Sequence, residues 1–383
     1  MKQKFIIGID QSTQGTKAIL FDEKGNLLHR TDRSHAQLID ERGWVEHDPE
    51  EIYRNTLLVV EELLGKSGVD REAVACVGIS NQRETAMAWN RNTGKPVYNA
   101  IVWQCARGEE ICRRIAVGAV RQKDNLSAAE DVRQRTGLKL SPYFSAAKLA
   151  WIMEHVEGAA GLAARGELCC GTMDSYLVYR LTKGKEFRTD YSNASRTQLF
   201  HIRDLKWDET LCGIFGIPIA CLPEVTDSDG YFGMTDFEGI LPAEVPIHGV
   251  MGDSHGALFG HRAGDGEGLQ ALADGGGTVG GALQAALHGD GRAQRVRPDG
   301  VLKADGLHTL DDRVNVDALG EEHLAAGVQR LQAVCFQACL DFRHAAFLTF
   351  KFSHCSSPPL LLFARVDILR RVRKAAVGAD VLL

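Results

Sequence analysis

Beyond Met251 the chain contains no Trp, no Tyr and no further Met, although five Trp, seven Tyr and six Met occur up to that point. The same stretch holds one Ile (Ile368), one Asn (Asn315) and three Lys. Nowhere is there an apolar run of the roughly 18 residues that a membrane span requires, so no such span is expected. The start, Met1-Lys2-Gln3-Lys4-Phe5-Ile6-Ile7-Gly8, lacks the apolar core and cleavage site of a signal peptide. Positive charge is not in excess either: 44 basic residues face 50 acidic ones, a net charge of -6. That balance argues against a nucleic-acid partner, which needs a basic surface. Ten cysteines in 383 residues are too few for a disulfide scaffold. Reduced thiols and a cytoplasmic location are the expectation.

What is present is an ordinary globular composition, 44% hydrophobic and 25% charged. At about 150 residues per domain, two domains are expected. The pooled figures conceal a division. From Ala257 onward there are 14 acidic and 14 basic residues, 11 of the latter Arg, so the whole net charge belongs to the first two-thirds. The remainder is rich in Ala, Gly, Leu and Arg.

Short β runs at 5–9 and 18–21, and the segment 26–30 after the Glu23-Lys24-Gly25 turn signal, predict a three-stranded meander. Asp48-Pro49-Glu50-Glu51 reads as a helix start, with a capping Asp and Pro in first position. Ile52, Leu57, Val60 and Leu63 then recur at helical spacing to about Gly65. Strands are expected at 74–80 and 86–89, and helices over 108–114 and from near Ser145 and Asp174. Alternating strands and helices predict an α/β fold.

Three segments could carry chemistry. Asp10-Gln11-Ser12-Thr13-Gln14-Gly15-Thr16-Lys17 lies between two strands. Its carboxylate could hold Mg²⁺, and its hydroxyls, amides and Lys17 could surround phosphate; a polar hairpin loop is the plainer reading. Asn81-Gln82-Arg83-Glu84-Thr85 offers an adjacent donor fork and acceptor suited to a polyol, or else a surface ion pair. Trp103 is an apolar wall or core. Asp253 in Gly252-Asp253-Ser254-His255-Gly256 is placed either to abstract a proton or to cap a helix starting at Ser254.

Together these segments resemble the FGGY family of carbohydrate kinases, and within it the glycerol-phosphorylating members. The resemblance rests on Gly8-Ile9-Asp10-Gln11-Ser12-Thr13, Gly43-Trp44-Val45-Glu46-His47-Asp48-Pro49 and Asn81-Gln82-Arg83-Glu84-Thr85. It continues through Tyr98-Asn99-Ala100-Ile101-Val102-Trp103-Gln104-Cys105, Ser141-Pro142-Tyr143-Phe144-Ser145, Asp190-Tyr191-Ser192-Asn193-Ala194-Ser195-Arg196-Thr197 and Gly252-Asp253. It covers 1 to about 260. It implies an actin-like, ribonuclease-H-like ATPase fold whose second domain is incomplete or aberrant here. The first domain, 1–260, would bind polyol and phosphate, and 261–383 would stand in place of the adenosine-binding domain.

The resemblance further implies ATP and Mg²⁺ as cofactors, with Asp10 on the metal and Thr13, Gln14 and Lys17 on the nucleotide phosphates. Arg83, Glu84, Tyr143, Asp253 and Ser254 would line the polyol site, Trp103 would pack on its carbon chain, and Asp253 would be the base. Glycerol is the implied acceptor, giving sn-glycerol 3-phosphate; a homo-oligomer is compatible with this. Ser254-His255 stand where many members have two Gln, and Gln14-Gly15-Thr16-Lys17 where others carry a Thr/Ser run and Arg. Another small polyol or sugar, and an inactive fragment keeping only the polyol-binding half, are the alternatives.

Beyond about Gly260 the pattern is not matched. Asp274-Gly275-Gly276-Gly277-Thr278 looks like an actin-type phosphate loop, or reflects the general glycine excess. Cys335, Cys339, His344, His354 and Cys355 match no standard zinc spacing. The basic stretch 365–374 reads as a solvated helix or tail end. The change in composition suggests a shifted reading frame near codons 257–275, against a divergent short second domain.

Overall fold

The computed structural model describes residues 3–118 and 127–260, and the backbone of 295–296 and 302–303. The expected meander is present and longer than those short runs: β1 (Phe5–Gln11), β2 (Gly15–Asp22) and β3 (Leu27–Ser34), paired antiparallel in sequence order. The short β4 (Leu38–Ile39) and β5 (Val45–His47) lead into α1 (Pro49–Ser67). Asp48 caps α1 by accepting from the Glu50 amide at 2.9 Å, and Gly68 closes it in the left-handed region at φ 64°. Ile52, Val60 and Leu63 are fully buried as their spacing predicts, with Leu57 partly buried at the edge of the same face.

The chain continues through β6 (Val74–Asn81), β7 (Ala86–Asn90), β8 (Ala100–Ile101), α2 (Glu109–Val117) and α3 (Ala128–Thr136). Next come α4 (Ser145–His155), α5 (Ala159–Ala164), β9 (Leu168–Thr172) and α6 (Met173–Leu181). The strand β10 (Arg188–Asp190) runs into the single turn α7 (Tyr191–Ala194). After β11 (Phe200–His201), β12 (Lys206–Trp207), α8 (Glu209–Phe215) and β13 (Glu224–Thr226), a second long pair forms from β14 (Tyr231–Thr235) and β15 (Val245–Gly252). The helix α9 (Asp253–Gly260) follows β15 directly.

Six strands form the main sheet in the order β14-β15-β6-β1-β2-β3. Within it β15, β6 and β1 are parallel. A meander joined to parallel strands, with helical crossovers between them, is the actin-like, ribonuclease-H-like arrangement. Gln11, Asn81 and Gly252 are in register at the carboxyl ends of the three parallel strands. In open α/β sheets this edge is where ligands bind. A five-stranded sheet, β4-β5-β8-β7-β9, stands beside it. Two large apolar clusters follow this division. One joins β1, β6, α1 and α6 through Ile7, Ile79, Leu63 and Tyr176; the other gathers Ile101, Ala147, Ile152 and Phe215 around α4.

Seven cysteines among the described residues are free and buried, as expected for reduced thiols. Residues 295–296 pair antiparallel with 302–303. The Asp274–Thr278 segment, the Cys335–Cys355 group and the 365–374 stretch lie outside the described residues.

Candidate active site

The turn after β1 is tied by the Ser12 amide and hydroxyl, which donate to the Gly15 carbonyl at 2.9 and 3.0 Å. Gly15 is required there: a Cβ would lie 2.5 Å from the Arg33 carbonyl oxygen on β3. Antiparallel register places Lys17 opposite Asp10, and its ammonium meets Asp10 Oδ2 at 2.8 Å. Gln14 is exposed and Thr13 half-buried. The hairpin reading holds: this is a polar hairpin at the carboxyl edge of the sheet, which leaves the ligand reading open to it.

Beneath this turn lie His35 and His47, both buried, with ring centroids 4.5 Å apart. The His35 amide donates to the Gln14 carbonyl at 3.3 Å. Burial pushes both imidazoles down, His47 to about 3 with the neighbouring His35 adding to the effect. Both are neutral supports of the turn at physiological pH.

The segment from Gln82 to Thr85 joins β6 to β7 and turns inward. Arg83 is 6% exposed and Glu84 3%, which overturns the surface ion-pair reading. Arg83 donates from Nε to Asp253 Oδ1 at 3.0 Å and from Nη2 to Ser254 Oγ at 2.9 Å, while Nη1 lies 3.1 Å from His255 Nδ1. Its aliphatic stem passes over Gly252, where a Cβ would stand 2.4 Å from Cγ and Cδ. Only glycine fits at the last position of β15 while Arg83 lies across it.

Asp253 opens α9 and accepts from the Ser254 amide at 2.7 Å, yet its side chain keeps 40% exposure. Starting the helix and keeping an accessible carboxylate are compatible. Partial loss of water around it raises its carboxyl above the ordinary range, Glu84 and Asp10 adding to the push against the pull of Arg83. A carboxylate so raised is a better proton acceptor than an ordinary surface Asp.

Trp103 and Tyr143 form a wall, their ring centroids 5.6 Å apart. Trp103 is half-buried against the second apolar cluster, and its indole Nε1 donates to Thr13 Oγ1 at 2.9 Å. It is thus both wall and partial core, and it links this wall to the turn after β1. The backbone carrying Tyr143 is held by the buried Lys148, which donates to the carbonyls of Pro142 at 2.7 Å, Phe144 at 3.2 Å and Tyr143. Burial pushes Lys148 down to about 7 and the Tyr143 hydroxyl up.

The profile of the FGGY family of carbohydrate kinases, N-terminal domain, matches residues 5–260. The chain belongs to the FGGY family. It is 49% identical over 256 residues to glycerol kinase 1 of Thermotoga maritima, a match covering 67% of this chain and 50% of that protein. It is 46% identical over 260 residues to the glycerol kinase of Carboxydothermus hydrogenoformans, covering 68% and 50%. Among solved structures, Plasmodium falciparum glycerol kinase with ADP superposes with a TM-score of 0.63 at 35% identity, covering 69% of this chain and 52% of that one. The chain spans about half the length of the curated relatives it matches. Among the described residues no helix is long and apolar enough to cross a membrane.

Several residues here belong to a segment that carried the resemblance but were given no role by sequence reasoning. Arg196 donates from Nε to Glu84 Oε1 at 2.8 Å. Ser192 Oγ accepts from the Gly252 amide at 2.8 Å and donates to Asp190 Oδ2 at 2.6 Å, fixing the backbone just before Asp253. Asn193 and Asn81 exchange side-chain hydrogen bonds at 2.9 and 3.1 Å. Three side chains of one short segment thus brace β15, β6 and Glu84 from behind. The usable signal was density of polar residues, Asp190-Tyr191-Ser192-Asn193 and Ser195-Arg196-Thr197, with no apolar period to make them a helix face.

Proposed function

We propose that residues 1–260 form the acceptor- and phosphate-binding half of an enzyme that transfers the terminal phosphoryl group of ATP to glycerol, residues 261–383 standing where the adenosine-binding half of the relatives would be. The observation that carries this reading is the cluster of Arg83, Glu84 and Asp253 at the ends of β6 and β15. A donor fork, a buried acceptor and a raised, accessible carboxylate are what a small polyol needs. The Trp103–Tyr143 wall supplies an apolar face for its carbons. The 43–49% identity of curated glycerol kinases over the same segment supports glycerol as the polyol.

In this reading Arg83 and Glu84 orient the hydroxyls while Tyr143, Ser254 and Trp103 close the sides. The attacking hydroxyl loses its proton to Asp253 as its oxygen bonds to the γ-phosphorus. The bond from that phosphorus to the bridging oxygen breaks, and ADP leaves, the product being sn-glycerol 3-phosphate. Such transfer depends on positioning and charge stabilisation more than on covalent chemistry by the protein. Thr13, Gln14 and Lys17 would meet the phosphates. Asp10, a hard oxygen donor at a strand end, fits Mg²⁺, which needs one or two carboxylates and otherwise water and phosphate; Lys17 already meets one of its oxygens. Bound there with nucleotide, the ion would neutralise phosphate charge. Use of ATP goes with a cytoplasmic location.

Glycerol-dependent ADP release tests the reading: it should be present in the 383-residue chain and lost in Asp253→Asn. Faster turnover of xylulose or erythritol than of glycerol would contradict the choice of acceptor. The alternative, polyol binding without transfer, is not favoured by the relatives, which are glycerol kinases. Glycerol binding by calorimetry with no ATP-dependent turnover would select it.

A further inference from the structure

Glu84 is a buried carboxylate with two guanidinium groups near one of its oxygens. Oε1 lies 2.8 Å from Arg196 Nε and 3.9 Å from Arg83 Nη2. The two cations differ in what else they do. Arg83 also serves Asp253, Ser254 and His255. Arg196 is buried behind the site, its guanidinium carbon 5.0 Å from the centre of the Phe144 ring, a placement that fixes the side chain and excludes water. The other charged or titratable groups bearing on Glu84 are Lys148 from α4, Tyr143 from the loop before it and Asp253 from α9. A carboxylate so enclosed is costly unless it is paired with cations and hydrogen-bonded.

We propose that Arg196 is a positioning residue that sets the ligand specificity of the acceptor site from behind, by holding Glu84 as a bare carboxylate that can only accept hydrogen bonds. A ligand must then present a hydroxyl donor at that point, so a polyol is admitted where an ether or carbonyl at the same position is refused. In its ligand this rests on the polyol reading above; the charge arrangement stands independently of it. Burial pushes the Glu84 carboxyl up, and Arg83 and Arg196 more than reverse the push, leaving it below the ordinary range.

The test uses the full chain, with glycerol as probe, and compares wild type, Arg196→Gln, Arg196→Lys and the double variant Glu84→Gln with Arg196→Gln. In wild type Glu84 stays ionised between about pH 5 and about pH 8, so any pH dependence of the glycerol dissociation constant there belongs to Lys148 and Asp253, and each variant is read relative to that profile. In Arg196→Gln the carboxyl is raised and takes up a proton at the acid end, where affinity falls by about tenfold relative to wild type. The same change makes stability fall as pH rises, since the folded state then binds the extra proton and must lose it. The midpoint deficit of Arg196→Gln therefore grows from acid to neutral pH by several degrees.

Arg196→Lys keeps the charge and follows the wild-type pH profile, and the double variant shows no growing deficit. Glycerol binding in wild type, with an Arg196→Gln deficit and affinity loss that do not vary with pH, overturns the proposal. Absence of glycerol binding in wild type with a deficit that still grows with pH refutes the polyol reading and leaves the role of Arg196 standing. If Arg196→Gln fails to fold while the double variant folds, an unpaired buried Glu84 is the cause, as proposed. Failure of both means Arg196 is needed beyond Glu84, and the proposal falls.

Discussion

On the turn side of the site, Asp10 and Lys17 make one direct ion pair, Gln14 reaches solvent, and the support beneath is two neutral imidazoles. On the acceptor side, Arg83, Glu84, Asp253 and Arg196 form a continuous charged network braced by Asp190, Ser192 and Asn193. The first arrangement, in the proposed function, would exchange its single ion pair for a charged ligand that brings its own counter-ions. The second fixes donors and acceptors before any ligand arrives, which is what selecting a small neutral molecule requires. Substitutions should consequently cost stability on the acceptor side and much less at the exposed tip of the turn.

The largest effect is expected for Arg83→Met. It removes the cation shared by Glu84 and Asp253, and unfolding by urea should show a loss of about 3–5 kcal/mol together with loss of glycerol binding. Gly252→Ala should cost about 1–3 kcal/mol, because its methyl occupies the path of the Arg83 stem; glycerol affinity should fall with it. Ser192→Ala leaves the Gly252 amide without its acceptor. A loss of about 1–2 kcal/mol in urea unfolding is the expected size.

Acid should act on the turn side. His47 has a depressed folded-state value of about 3 against the ordinary 6.5, so it must charge on unfolding. Its contribution is present above about 6.5 and is lost as pH falls toward about 3. His47→Gln should flatten that limb of a midpoint-against-pH curve without altering the neutral plateau's slope. The smallest change belongs to Gln14→Ala, exposed at the tip of the turn, with stability within about 0.5 kcal/mol of wild type by the same urea assay. A Gln14→Ala loss as large as that of Ser192→Ala would erase the contrast between the two sides.

Local features of this architecture were legible in the sequence for local reasons. The Asp48 cap, Pro49 and the apolar spacing through Leu63 act within one helix, and the meander needs only short runs and a turn signal. The site was legible as pieces. Arg83 and Glu84 are adjacent, which gave no hint whether they face solvent or the interior; burial is set by packing of strands distant in the chain. The partner of Glu84 stands 112 residues away at Arg196, and Asn81 meets Asn193 across the same separation. No periodicity encodes such pairings. The family resemblance supplied the proposed roles of Arg83, Glu84 and Asp253, and it included the segment 190–197 without saying what that segment touches.

The composition break after Met251 coincides with the end of the family match at 260. The charged network of Arg83, Glu84, Asp253 and Arg196 lies within the described residues, so ligand binding and phosphoryl transfer can be measured apart. The most direct measurement is calorimetric titration of the 383-residue chain with glycerol, in wild type and in Glu84→Gln. One saturable site in wild type, weakened by about tenfold or more in the variant, is the result expected when a buried charged acceptor becomes a neutral amide. No glycerol binding in wild type, or equal binding in both, would contradict the account.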